Sequence, residues 1–292
     1  MHKFLKAIGF SNLTIKELDD VLDDVVERAN ARESTLLEDG TKFEEMTLEV
    51  AKNIGIKVYG VYKNGEYEVE YFTPYLEGTI VSTTETIEIE RRFDKVAYAG
   101  VCDEVRIGVT LIFHVQNPLD FLKKNNNKLD SKNVIAHGAI LAGLADTGKI
   151  LLPLNKKINK RNRLKNPSNK DRNILIAKAR EGNEEAIEDL AASDMDMYAM
   201  LSKRVKNEDI LSIVSTYVMP YGIESDCYSV LGNIVDYYVT KNTYTDEIIY
   251  VLKLEANEMY FDVCINKKDL LGEPMNGRRF KGNIWLQGEL CI

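Results

Sequence analysis

Apolar residues recur at helical spacing near the start of the chain and predict an amphipathic helix over about residues 15–31. The apolar positions run from Leu18 to Ala29 and lie mostly three or four residues apart. Thr14 followed by Glu17 is a capping-box signature, in which each side chain bonds to the backbone N–H of the other residue. The carboxylates between the apolar positions are typical of a solvated helix face.

From residue 44 to residue 116 the pattern changes to the alternation of β-strands. Asn64-Gly65 lies between two alternating stretches, which predicts a β-hairpin. Further strands are predicted over the runs TIVSTTETIEIE, KVAYAG and EVRIGVTLIFHV. Residues 1–155 are therefore expected to form an α+β domain with a mostly antiparallel sheet.

Helical patterns return after residue 172 and continue to about residue 216, with Asn183 and Ser193 as N-caps. Four β-like runs follow: YSVLGNIVDYYV, EIIYVLKLE, MYFDVCI and FKGNIWLQGEL. Short strands with glycine bends are typical of a small OB- or SH3-like β-barrel. The predicted fold class is α+β, with an N-terminal helix plus a mostly antiparallel sheet, then a helical segment leading into this barrel.

The distribution of charge marks a boundary between the two halves. Between Lys156 and Arg172 the chain carries eight of its 38 Lys/Arg residues and one of its 46 acidic residues. Without this basic tract, 30 basic and 45 acidic side chains remain, so a segment of net +7 lies within a body of net −15. Its Asn, Ser and Pro content is typical of a connection between domains. We therefore predict domains over 1–155 and 173–292, joined by a basic linker over 156–172.

Cysteine usage and hydropathy predict a cytoplasmic protein. Cys102, Cys227, Cys264 and Cys291 lie far apart without a C-x-x-C pair, which indicates reduced thiols and neither a zinc ribbon nor a redox motif. The start lacks the extended apolar region and the cleavage site of an export signal. No window approaches eighteen uncharged apolar residues, so no membrane-spanning segment is expected.

Three segments carry a resemblance to a known family: the opening MHKFLKAIGFSN, the central YVMPYGIESDCYSVLGNI and the ending GRRFKGNIWLQGEL. They resemble an uncharacterised family of proteins of about this length from anaerobic Gram-positive bacteria. The similarity runs essentially from end to end. It implies a bacterial cytoplasmic protein and carries over no catalytic residue, because the family has no assigned activity.

The segment from Gly143 to Lys149 satisfies the G-x-x-x-x-G-K pattern of a phosphate-binding loop. However, Ile150 stands where Mg²⁺ needs a hydroxyl, and the sequence continues as a strand where the motif needs the N-terminus of a helix. The alternative is a hairpin that turns at residues 146–148. A degenerate nucleotide-binding enzyme at Gly143–Lys149 is retained as a hypothesis, and no cofactor is predicted.

The histidines and paired carboxylates predict no metal site and no catalytic residue. His114 and His137 lie in apolar, strand-like runs without an acidic residue at ligand spacing. Asp194 and Asp196 follow the predicted cap Ser193, and carboxylates stabilise the exposed N–H groups of a first helical turn.

Basic residues cluster near the only tryptophan, Trp285, in the C-terminal region. A positive groove beside an aromatic ring is what single-stranded nucleic acid requires. Alternatively, Trp285 packs against the first domain, which needs no ligand. The basic tract lacks aromatic residues and is suited to contact backbone charge rather than to read sequence. The candidate binding residues are Lys267, Lys268, Arg278, Arg279, Lys281 and Trp285, with Lys160, Arg161, Arg163 and Lys165 in the tract.

These patterns favour a non-enzymatic cytoplasmic interaction or regulatory protein, because no compact set of nucleophile, base and metal ligands can be assembled. Its partner is expected to be another protein. The alternative is a nucleic-acid-associated protein that uses the basic tract and the C-terminal barrel, although the acidic total disfavours it. The oligomeric state is left open.

Overall fold

The computed structural model describes residues 2–63, 65–92, 95–129, 135–153, 174–175, 178–179, 182–192, 211 and 214–292. The basic tract with its four candidate binding residues, the predicted cap Ser193, and both Asp194 and Asp196 lie outside the described residues. No helix of the described ranges has the length and apolar character needed to cross a membrane.

The N-terminal segment forms a short 3₁₀ helix, Lys3–Ile8, followed by helix α1, Ile15–Arg28. The capping box is confirmed, since the Glu17 N–H donates to the Thr14 hydroxyl and the Thr14 N–H donates to the Glu17 carboxylate. Helix α1 ends three residues earlier than the spacing predicts and buries an apolar face consisting of Leu18, Val21 and Val25.

The first sheet has four antiparallel strands that neighbour one another in chain order. Its third and fourth strands form the hairpin that Asn64-Gly65 predicts. The strands are β1 (Ala31–Leu36), β2 (Lys42–Ala51), β3 (Ile54–Lys63) and β4 (Glu66–Leu76).

The second sheet contains ten strands. Six of them come after the basic tract. Four of these six confirm the four C-terminal β-like runs, and the other two are short strands of four and two residues. The elements are β5 (Val81–Arg91), β6 (Tyr98–Glu104), β7 (Val109–Val115), helix α2 (Pro118–Lys124), β8 (Ile135–Leu151), β9 (Tyr217–Pro220), β10 (Cys227–Lys241), β11 (Ile248–Ala256), β12 (Met259–Asn266), β13 (Leu270–Leu271) and β14 (Arg279–Leu290).

Strand pairings close the second sheet into two rings that share β8 and β14. One ring runs β8–β5–β6–β7–β14, and the other runs β8–β14–β10–β11–β12. β12 pairs with β8 in parallel, and β14 pairs with β7 in parallel. Strands from before and after the basic tract therefore belong to one sheet. The division into 1–155, 156–172 and 173–292 stays a prediction.

The described residues are mostly sheet with few helices, which agrees with an α+β class in coarse terms. Helix 184–192 begins after Asn183, whose side-chain oxygen accepts from the N–H of Ala186. The remainder of the predicted helical segment lies largely outside the described residues. Helix α2 was not anticipated, because the pattern around Asn117-Pro118 indicates only the end of a strand.

β8 is central to the core because both of its faces are buried. Leu141 packs in one apolar cluster, inside the ten-stranded sheet. Ala142 and Leu144 pack in a second cluster, with the 3₁₀ helix, α1 and the four-stranded sheet. A strand covered on both faces appears in sequence as a continuous apolar run, as residues 138–145 do.

Two buried amides join the two sheets. Gln116 Nε2 donates to Gln287 Oε1 at 2.7 Å and to the Leu76 carbonyl at 2.9 Å. Gln287 Nε2 donates to the Pro74 carbonyl at 2.7 Å. Buried polar groups are stable only when bonded, so this network sets how β4 lies on β7 and β14.

Candidate functional site

The Gly143–Lys149 segment is neither a phosphate loop nor a hairpin turn. It continues through β8 without interruption and pairs with β14, from Gly143 opposite Leu286 to Lys149 opposite Lys281. Backbone groups in the ladder cannot also cradle a phosphate. The second glycine serves packing, since a Cβ on Gly148 would lie 2.4 Å from the Phe280 ring.

Trp285 is only 6 % exposed and therefore offers no face to a nucleic acid base. Its ring stacks on Phe4 at 5.8 Å between centroids and lies 4.6 Å from the His2 ring. The expectation that Trp285 packs against the N-terminal part of the chain agrees with these contacts. The alternative, that its ring is a platform for nucleic acid bases, is wrong. Nothing in the local sequence indicates that the 3₁₀ helix covers this ring.

Asp226 accepts hydrogen bonds from two side chains beside Trp285. The Trp285 indole N–H donates to Asp226 Oδ2 at 2.8 Å, and Arg92 Nη1 donates to the same oxygen at 2.6 Å. The carboxylate is buried and the arginine is partly exposed. Charge-assisted bonds of this kind are stronger than neutral ones, so Asp226 holds Trp285 and β5's end together.

Two neutral histidines flank the tryptophan. Burial lowers the pKa of His114 to about 3, and the positive charges of Arg92 and Lys57 act in the same direction. Burial also lowers the pKa of His2 to about 4, against the carboxylates Glu224 and Asp226. His114 Nε2 has no hydrogen-bond partner among the described residues. Neither ring is poised to exchange protons near neutral pH, so the cluster is structural.

The remaining C-terminal candidates do not form a groove around Trp285. Arg279 lies six residues from it along β14, about 20 Å in an extended strand. Its buried guanidinium donates to the carbonyls of Leu152, Leu211 and Val214, on the two sides of the basic tract in the chain. Burial lowers the pKa of Arg279. This residue therefore joins chain segments and is not presented to a ligand.

The other basic candidates lie in the short 3₁₀ turn after β12 and around the start of β14. Lys268 pairs with Glu247, and Arg278 Nη1 donates to the Glu273 carbonyl at 3.0 Å. Lys281 is half-buried within β14, and Lys267 is exposed in the short 3₁₀ turn after β12. Lys268 and Arg278 are thus engaged with groups of the chain itself.

Within the described residues, no three His, Cys, Asp or Glu side chains are grouped so that they could hold an ion. His137 is exposed on β8. Cys102, Cys227 and Cys264 are buried free thiols, and burial raises the pKa of Cys227 to about 12. A thiol with so high a pKa is a poor nucleophile.

An acidic cleft lies between α2, the C-terminal residues and the four-stranded sheet. It consists of a main cavity of about 520 Å³ and an adjoining pocket of about 160 Å³. Burial raises the pKa of Glu45 and of Glu289. Lys57 pairs with Glu45 at 2.8 Å, and Lys123 pairs with Glu33 at 3.0 Å. These ion pairs neutralise part of the cleft, and its geometry indicates no particular ligand.

The second half of β10 exposes apolar and aromatic side chains. We call residues 235–241 the β10 edge. Four of its apolar and aromatic side chains are exposed to solvent: Val235 44 %, Tyr237 37 %, Tyr238 37 % and Val239 54 %. Tyr and exposed aliphatic residues grouped together are typical of protein–protein contact surfaces.

The β10 edge has a backbone partner on one side only. Asn233 pairs with both Arg279 and Glu255, so β14 and β11 lie on opposite sides of β10. On the β14 side, the last backbone bonds join Ile234 to residues 277 and 278. Beyond Ile234, only β11 pairs with β10 within the described part of the chain. Residues 235–241 therefore present an open strand edge.

The backbone groups that face outward along this edge follow from the alternation of an antiparallel ladder. The N–H of Asn242 donates to the Glu247 carbonyl and so points toward β11. Tyr237, Val239 and Lys241 consequently direct their N–H and C=O groups away from β11. The Tyr237 N–H is covered by the Asp236 carboxylate at 2.9 Å.

Sequence reasoning placed this segment in a strand but did not identify it as a site. The run VDYYVT differs little from buried strands, because exposed and buried strands both favour β-branched and aromatic residues. A register shift in the β10–β11 ladder around Val235 also marks the segment, since bulges are frequent at sheet edges.

Comparison with known proteins identifies a family and no individual relative. No curated protein and no solved structure matches the chain. The family described as "Domain of unknown function, E. rectale Gene description (DUF3881)" matches residues 5–288 of the 292 residues. The end-to-end resemblance carried by the opening, central and closing segments is therefore confirmed, and the chain belongs to this family.

Proposed function

We propose that the protein is a non-enzymatic interaction protein that binds an extended segment of a protein partner by strand addition at the β10 edge. The observation that carries this proposal is the open edge at Tyr237, Val239 and Lys241, with apolar side chains exposed around it. An added strand would satisfy the outward N–H and C=O groups and cover the exposed side chains.

The arrangement of the other candidates supports this choice over the alternatives. The segment Gly143–Lys149 is engaged in the β8–β14 ladder, which disfavours nucleotide binding there. Trp285 is buried beneath Phe4, which removes the stacking component that nucleic acid binding by the C-terminal region requires. Lys160, Arg161, Arg163 and Lys165 lie outside the described residues, and a role for them in contacting phosphate stays a prediction.

We also propose that the ring β8–β14–β10–β11–β12 is a small barrel of the OB type. Its closed pairing with a single parallel contact, between β12 and β8, supports this. The barrel would then take β8 from before the basic tract, so a fragment over 173–292 would lack one of its strands. A bacterial, cytoplasmic location and the two-domain division are part of the same proposal.

The proposal is tested by selecting a displayed library of extended peptides of about ten residues against the immobilised protein. We expect enriched peptides with alternating β-branched and aromatic residues. Their binding to the soluble protein is then measured by fluorescence anisotropy. Val239→Pro removes one outward N–H without removing a ladder bond and is tolerated on an edge, so it should weaken binding at least tenfold.

Val239→Thr is the matched control, because it keeps the branched shape and the N–H, and it should bind like the original protein. Peptides that bind Val239→Pro as well as they bind the original protein would place the contact elsewhere. If no peptide is selected and the β10 edge pairs with no other strand, strand addition is overturned.

A further inference from the structure

We infer that the strand added at the β10 edge is the β10 edge of a second copy of this chain, paired antiparallel about a two-fold axis through Val239. The inference rests on the proposed function and names its partner. Symmetric pairing of two identical patches is the commonest way in which soluble chains form dimers.

The positions of the outward-facing groups select this register. A two-fold axis perpendicular to the sheet pairs residues whose numbers add to a constant, and paired residues must face the same side. With the axis at Val239, Tyr237 meets Lys241 of the second copy and Val239 meets its own equivalent. All three outward-facing residues then meet outward-facing residues. A shift of the axis by one residue leaves an outward group opposite Val235 or Thr243, outside the regular part of the edge.

The side chains of this register are complementary. Lys241 of one copy lies opposite the Tyr237 ring of the other, a pairing that favours a cation–π contact. The two Val239 side chains meet at the axis, and no two like charges stand opposite each other. In the single chain, Lys241 pairs with Asp246 in an exposed ion pair, which stabilises little and is readily exchanged.

The exposure of the side chains along β10 agrees with an edge that a second copy covers. The first half of the strand is paired on both sides and mostly buried. In the second half, Tyr237 and Val239 share a face with Leu252 and Tyr250 of β11, which are buried. In the dimer, the sheet of one copy would continue into the sheet of the other through the two paired β10 edges. The apolar surface would then extend over Tyr237 and Val239.

The contact is short, so the dimer is expected to be concentration-dependent. Three pairs of residues in one strand bury far less area than the roughly 1,600 Å² of a standard stable interface. We therefore expect dissociation in the micromolar range or weaker, seen as a rising weight-average mass over increasing protein concentration in sedimentation equilibrium.

The test combines that measurement with a register-specific cross-link in the full chain. Val239→Pro should remain monomeric at concentrations where the original protein and Val239→Thr dimerise. Val239→Cys, in a background with the exposed Cys291 changed to Ser, should form a disulfide-linked dimer on mild oxidation. Paired Cα atoms in an antiparallel ladder lie about 5.5 Å apart, within the span of a disulfide.

Val235→Cys in the same background is the matched control. Position 235 is exposed, as position 239 is, but it lies far from its own equivalent in this register, so the variant should stay monomeric under the same oxidation. Equal cross-linking of both variants would overturn the register. A dimer that persists in Val239→Pro would show a different interface and would also overturn the inference.

The inference and the proposed function fail in different ways. If the protein stays monomeric at all concentrations but selected peptides bind and Val239→Pro blocks them, the second copy is excluded and strand addition stands. If neither peptides nor a second copy bind, both are overturned. A dimer that is lost in Val239→Pro and trapped by Val239→Cys supports both.

Discussion

The two halves of β10 share one pattern of residues but have different surroundings. In residues 227–234 the strand lies between β14 on one side and β9 or β11 on the other, and Leu231 is fully buried. In residues 235–241 only β11 pairs with it, and Val239 is 54 % exposed. The strand propensity of a segment therefore indicates that it pairs, but the number of neighbours decides whether it is core or a contact surface.

The largest expected difference between the halves is in packing. Leu231→Ala should lower the free energy of unfolding by about 2–5 kcal/mol, because it removes buried methyl groups and leaves a cavity. Val239→Ala should change it by less than about 1 kcal/mol in dilute protein, where the side chain is solvated. Urea unfolding followed by Trp285 fluorescence measures both. Equal losses would mean that position 239 is covered in the isolated chain.

The paired half of β10, residues 227–234, also depends on the buried carboxylate of Asp226, which directly precedes the strand. Asp226→Ala should lower the free energy of unfolding by about 1–3 kcal/mol, because it leaves the Trp285 N–H and the Arg92 guanidinium without their shared acceptor. Asp236→Ala on the β10 edge is the matched control, and its effect should be well below 1 kcal/mol. Chemical denaturation distinguishes them, and equal effects would contradict the contrast between the halves.

Acid should destabilise the folded protein through the two buried histidines beside Trp285. The pKa values of His114 and His2 in the folded protein, about 3 and about 4, lie below the ordinary value of 6.5. Between pH 6.5 and those values the unfolded state binds protons that the folded state does not, so stability must decrease as the pH falls. Each histidine contributes up to about 1.4 kcal/mol per pH unit within this window.

Urea unfolding at several pH values from 7.5 to 4 measures this slope. His114→Phe should make it shallower, because it removes one of the two buried imidazoles. A slope that His114→Phe does not alter would show that other groups govern acid unfolding.

Val239→Lys should have the smallest effect on stability. It should, however, have a specific effect on self-association. The change should alter the free energy of unfolding by no more than about 0.5 kcal/mol at this exposed position. It would place two like charges opposite each other at the two-fold axis and weaken self-association about tenfold or more. Added salt should restore part of the association by screening. Unchanged sedimentation of Val239→Lys would contradict the two-fold register.

Local sequence signals were sufficient wherever the interaction itself is local. The capping box at Thr14 and Glu17, the hairpin around Asn64-Gly65 and the four C-terminal strand runs are confirmed because neighbouring residues form them. The hairpin turn expected at residues 146–148 does not form, because β14, more than a hundred residues further along the chain, pairs with that segment. No local pattern reports such a pairing.

The candidate site shows the same limit. Trp285 was identified as a notable residue, but its burial depends on Phe4 and His2 at the other end of the chain. The β10 edge was recognised as a strand, but its exposure depends on where β14 begins. Burial and edge exposure are properties of the assembled sheet, since they require knowing which distant strands are neighbours.

By itself, the sequence determined the amphipathic helix, the alternating strands, the absence of a recognisable catalytic constellation and the family resemblance. Short-range periodicity and capping chemistry encode the first two directly. The tertiary structure alone established the two rings that share β8 and β14, the covering of Trp285 and the open edge of β10. These features arise from contacts between residues far apart in the chain, whose pairing is selected by the packing of the whole core and not by any single segment.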